Sequence, residues 1–116
     1  MPAEPEPVTL AEVVRRAVEI CDDGESEGLD RLLERFEDAD LPISAVPNIE
    51  QAMDETLGPG REPQLEMARA VIVYLAHRRD ELNAPPSELL RLAARAEFDD
   101  RPPDPVAGWL ESQGAR

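Results

Sequence analysis

Apolar residues recur along this chain at intervals of three and four. Each such stretch is closed by Gly, Pro or a short polar residue, which is the punctuation of successive helices. The first stripe, Leu10, Val13, Val14, Ala17, Val18 and Cys21, predicts a helix over 10–21. Thr9 and Glu12 form a capping box at its start: the hydroxyl accepts from the amide three residues on, and the carboxylate reaches back. Val8 and Val13 flank the box at staple positions, and Glu12 with Arg16 has the order of a favourable i,i+4 pair. Gly24 is placed as a left-handed stop and Ser26 as the cap of a second helix reaching about residue 38. That helix carries Leu29, Leu32, Leu33 and Phe36 on one face and Glu27 four residues before Arg31.

Leu41-Pro42 opens a loop that Pro47 prolongs, with Ile43 and Val46 expected to tuck into the core. Asn48 and Gln51 make a second capping box ahead of a helix over 49–57, which Gly58-Pro59-Gly60 stops. Pro63 suits a first helical turn and opens a fourth helix, predicted to reach residue 82. Two adjoining stripes on it, Leu65/Ala68/Ile72/Leu75 and Met67/Val71/Tyr74, predict a central helix touched on several sides. Asn83-Ala84-Pro85-Pro86 is a break. A fifth helix over 87–97 should turn Leu89, Leu92, Ala93 and Ala96 inward, with Phe98 anchoring the loop beyond it. Asp104-Pro105 reads as cap plus first turn of a short sixth helix over 105–112 that presents Val106, Trp109 and Leu110.

The elements define an all-α fold, a compact irregular bundle of five to six short-to-medium helices with no β-sheet. Val71-Ile72-Val73-Tyr74 has strand-like composition but lies inside a helical pattern. Residues 1–8 are expected to be a flexible Pro- and Glu-rich arm, 9–112 one helical domain, and 113–116 a frayed end. The only aromatics are Phe36, Tyr74, Phe98 and Trp109, so the core must be aliphatic.

Charge adds what periodicity does not. The chain carries −14 overall, and all its basic side chains are Arg. GC-rich coding or a high-salt cytoplasm would each account for that composition. Such acidity argues against direct nucleic-acid binding and against anionic membranes. No apolar run approaches a membrane span, and the first residues lack a signal peptide's basic and apolar regions, so a cytoplasmic location is expected. Between residues 22 and 40 nine carboxylates face two arginines, a net −7 and half of the total.

That segment is either a solvated helix face or a docking surface for a basic protein partner. Glu27, Glu34, Glu37 and Asp38 are the candidate contacts, joined by Trp109, which is either a lid on the core or an exposed anchor for a protein or a second copy of the chain. A second candidate is a small-anion site built from Arg69, Tyr74, His77 and Arg78. A third reading has the carboxylates imitate nucleic-acid phosphates and so inhibit a nucleic-acid-binding protein.

Enzymatic and metal motifs are wanting. The run around Gly24 places Gly third rather than sixth, against the EF-hand pattern, and Gly58-Pro59-Gly60 lacks the spacing and Lys of a phosphate loop. His77 is the only histidine, and the only cysteine, Cys21, sits beside Asp22 and Asp23, which disfavour a thiolate. Arg91 and Arg95 give a recognition helix too little basic support. The expectation is a non-enzymatic helical adaptor or regulator without cofactor or metal, with a homodimer compatible.

Overall fold

The computed structural model describes residues 8–21, 27–46, 48–58, 62–78, 81–82, 84–99 and 101–113. Six α-helices follow in order: α1 Leu10–Cys21, α2 Glu27–Phe36, α3 Ile49–Leu57, α4 Pro63–His77, α5 Pro86–Phe98 and α6 Asp104–Ser112. A 3-10 turn, Ile43–Ala45, sits between α2 and α3. The described residues hold no strand; one isolated antiparallel bridge joins Thr9 and Pro42. The architecture is the expected all-α bundle, with a Cα radius of gyration of 13.8 Å, close to the ~13 Å of a compact chain this long.

The start of α1 shows how local sequence and tertiary packing combine. Four amides at a helix N-terminus have no partner within the helix. Here the Thr9 amide donates to the Glu12 carboxylate (2.9 Å) and the Glu12 amide to the Thr9 hydroxyl (3.2 Å), which is the expected capping box. The other two donate to a strap of chain that follows α2: Leu10 to the Leu41 carbonyl and Ala11 to the Ala39 carbonyl, both at 2.9 Å. Two residues further on, the Ile43 amide donates to the Val8 carbonyl at 2.8 Å. Val8 is therefore part of the fold rather than of a flexible arm, and it packs against the core that fully buries Val13. Thr9→Ala should cost about 1 kcal/mol of unfolding free energy in chemical denaturation, since it deprives the Glu12 amide of its acceptor.

With its carboxylate held at Thr9, Glu12 does not pair with Arg16 as the spacing suggested. Arg16 instead reaches Glu19 at 3.5 Å and donates to the Ala84 carbonyl at 2.8 Å, tying α1 to the approach to α5. Helix α2 ends two residues earlier than expected, because the Ala39 amide turns back to the Phe36 carbonyl and the chain leaves to form the strap. Gly24 and Ser26, the expected stop and cap, lie outside the described residues.

At α3 the second capping box forms by half. The Gln51 amide donates to Asn48 Oδ1 at 3.4 Å, but the return contact runs between side chains, Asn48 Nδ2 to Gln51 Oε1 at 2.9 Å. Asn48 is left-handed (φ 48°), whereas the reciprocal box needs an extended cap residue. Gly58, at φ 69°, ends the helix as expected and donates to the Asp54 carbonyl; Pro59 and Gly60 lie outside the described residues.

Helix α4 packs against every other helix, which is the central role its broad apolar coverage predicted. It stops at His77, five residues short of the expected 82. The Arg78 amide is shared between the Tyr74 and Leu75 carbonyls, and successive turns at Glu81 and Ala84 fold the chain back so that Leu82 and Ala84 pack on the core. Pro86 then starts α5 at its first helical position. Helix α5 buries Leu89, Leu90, Ala93 and Ala94, while Leu92 is half-buried and Ala96 exposed. The inward face is thus rotated by roughly a quarter turn from the apolar stripe read in the sequence. Phe98 belongs to the helix, and left-handed Asp99 follows it.

In α6, Asp104 is the first helical residue and makes no side-chain cap, with Pro103 preceding it. The Gln113 amide donates to the Trp109 and Leu110 carbonyls, continuing the last turn of α6; the rest of the expected frayed end, 114–116, lies outside the described residues. One aliphatic core joins all six helices, and the four aromatics pack around its edge.

Candidate functional site

The acidic segment is spread over more than one helix face. Helix α2 packs mainly on α1 and more lightly on α4, leaving its outer side to solvent. Helical geometry puts Asp30 and Glu34 on one flank of that outer side, Arg31 and Arg35 on the other, and Glu27 between them. The expected Glu27–Arg31 pair is present but long, 3.9 Å, with side chains 89% and 81% exposed, a geometry that contributes little. Glu37 and Asp38 are exposed in the turn after the helix rather than on it. The chain continues through exposed Asp40 to Leu41, which at 49% is the one exposed large apolar side chain among the described residues. Leu41 lies in the strap whose backbone carbonyls complete the start of α1, an arrangement for which sequence periodicity carries no signal.

The proposed anion cluster is not assembled. Arg69, 9% exposed, points away from the end of α4 to two carboxylates. Its Nε and Nη2 donate to the Asp54 carboxylate at 2.7 and 3.3 Å, and its Nη1 donates to Glu97 at 2.5 Å. Burial alone would lower the pKa of this guanidinium; the hydrogen bonds and charges of Asp54 and Glu97 outweigh it and raise the pKa instead. The cation is locked on, and both its faces of hydrogen bonding are occupied. The ion-paired cluster joins α3, α4 and α5. The sequence did contain its signal: an Arg inside the buried run from Met67 to Val73 demands anionic partners.

The remaining three residues of that cluster lie at the end of α4. The Tyr74 hydroxyl donates to the Glu81 carboxylate, while His77 and Arg78 are exposed. A groove of about 260 Å³ runs beside all three, but Glu50 and Glu97 line it too, so its electrostatics do not favour an anion. Trp109 is half-buried against the core, as a lid would be, and its indole N–H is enclosed without a protein acceptor.

Cys21 is fully enclosed, and burial pushes its thiol up to about 12 from 9.0. The folded chain therefore holds this proton at a pH where the unfolded chain releases it. The resulting contribution to stability is complete below pH 9 and is lost as the pH rises toward 12, at about 1.4 kcal/mol per pH unit. Chemical denaturation at stepped alkaline pH should show this slope in the wild type and its absence in Cys21→Ala.

Among the described residues no three His, Cys, Asp or Glu side chains are grouped so as to hold a metal ion, and no helix is long and apolar enough to cross a membrane. Compared with protein-family models, with curated proteins and with solved structures, the chain has no match in any of the three.

Proposed function

We propose that this chain is a non-enzymatic interaction module, a small adaptor or regulator that docks a basic protein partner along the outer acidic edge of α2 and the strap after it. The observation that carries this reading is the position of Leu41. It is a large apolar side chain left exposed in an otherwise well-buried aliphatic set, and it directly follows the exposed carboxylates of Glu37, Asp38 and Asp40. An apolar contact bordered by charge is the composition of a protein–protein docking site, in which burial of the contact supplies affinity and the charges supply orientation and encounter rate. The edge position of α2 supports it further, since a partner can approach without displacing another helix.

The test uses two variants. One replaces Glu27, Glu34 and Glu37 by Gln and Asp38 by Asn; the other is Leu41→Ser. All five side chains changed are exposed, so both variants should fold as the wild type does. Proteins captured from native cells by the immobilised wild-type chain are identified by mass spectrometry at rising salt. A partner held by the wild type, weakened by salt and lost by both variants supports the reading. Capture that persists unchanged in both variants would show that the docking surface lies elsewhere.

A further inference from the structure

The other flank of α2 has a chemistry of its own, independent of the acidic edge. Arg31 and Arg35 stand one turn apart and line a slot of about 220 Å³ enclosed by α2, the end of α3 and the start of α4. Its apolar lining is buried Leu32 with partly buried Leu57 and Leu65. Gly28 lets α2 approach α4 here, since a Cβ at that position would come within 2.7 Å of Leu65 Cδ1. Thr56 also lines the slot, but its hydroxyl donates to the Ala52 carbonyl at 2.9 Å. The two guanidiniums are thus the donors that the lining side chains offer.

Neither guanidinium is neutralised as Arg69 is. Arg31 has only the long, solvated contact to Glu27, and Arg35 makes no ion pair with any described residue. Two solvent-facing cations without a close carboxylate, beside a slot with a partly apolar lining and in a chain of net charge −14, form a local exception that complements one kind of ligand. We propose that the slot binds a short acyl carboxylate, its chain against Leu32, Leu57 and Leu65 and its carboxylate between Arg31 and Arg35. Guanidinium groups match the planar carboxylate with paired hydrogen bonds. The volume lies below the roughly 300–1,000 Å³ of sites for drug-sized molecules, which sets the ligand's size near that of octanoate rather than of a peptide or a long lipid.

Calorimetric titration with octanoate tests this on the full chain. Binding is expected in the wild type and should weaken about tenfold or more in Arg31→Gln/Arg35→Gln. Arg91→Gln/Arg101→Gln removes the same charge from exposed positions elsewhere and should bind as the wild type does. Octan-1-ol, which keeps the chain and drops the charge, should bind more weakly than octanoate. The proposal is overturned by any of three results: no octanoate binding at millimolar concentration, equal affinity in the slot variant and the wild type, or equal loss in the slot variant and the charge-matched control. Circular dichroism of each variant, expected to match the wild type, separates loss of the site from loss of the fold.

Discussion

Arg69→Met should lower the unfolding free energy by about 2–4 kcal/mol, read as a reduced urea midpoint at unchanged slope. The loss comes less from the missing attraction than from what is left behind. Glu97, its side chain 25% exposed, would face the interior between α4 and α5 without a counter-charge. Asp54, 48% exposed, can turn to water, so the two carboxylates are unequal in this respect. That asymmetry makes a second-order prediction: Glu97→Leu combined with Arg69→Met should recover much of the loss, because an apolar pair replaces a stranded charge. Arg69→Lys should not, since one ammonium cannot supply the Nε, Nη1 and Nη2 donors that now reach two carboxylates on different helices. A loss below about 0.5 kcal/mol for Arg69→Met, the range of ordinary surface changes, would mean that the cluster does not hold the three helices together.

Ile72→Ala should cost about 3–4 kcal/mol, and Ile72→Val about 1 kcal/mol, in the same measurement. Ile72 is fully buried in α4, and α4 touches every other helix. A cavity there cannot be closed by moving one neighbour, because each neighbour is held against α4 and two of them, α2 and α5, also against α1. The cost of a large-to-small change rises with the volume that stays empty, so this site belongs in the upper part of the usual range. Against a total stability of roughly 5–15 kcal/mol, the alanine variant would retain a much reduced margin. Leu41→Ala, half-exposed on the strap, should change stability by less than about 0.5 kcal/mol, which separates a residue that holds the fold from one offered to a partner.

The two residues also mark where the sequence was readable. Ile72 sits in a helical stripe, and the periodicity of α1 and α4 places core and surface with no reference to other parts of the chain. The boundaries of α1 and α3 follow from Thr9, Asn48 and Gly58, whose effects are confined to one turn of backbone. Glu97 shows the opposite case. A carboxylate is normally assigned to solvent, so the apolar stripe of α5 was centred away from it. In the fold Glu97 lies in the middle of the buried face, because a buried arginine twenty-eight residues earlier holds it there. The rotation of α5 is therefore a tertiary fact that no local pattern carries. The early end of α4 is similar: nothing in the residues after His77 forbids a helix before Pro85, and the turn is set by the packing of Leu82 and Ala84 on the core. For the candidate sites, the acidity of residues 22–40 was legible as composition and the acidic and basic flanks of α2 follow from helical spacing, but that Thr56, Leu57 and Leu65 lie beside Arg31 and Arg35 needed the orientation of α2 in the bundle.

The strap of 39–43 has a consequence for the order in which this molecule takes shape. The first turn of α1 is completed by carbonyls of Ala39 and Leu41, about thirty residues downstream. As the chain emerges during synthesis, α1 can coil, but the amides of Leu10 and Ala11 stay open to water until the strap arrives. In the finished protein those two amides should exchange their hydrogens at a rate set by release of the strap, not by fraying of the helix end. The beginning of the first helix thus serves as a clock for docking of the second helix and the segment that follows it.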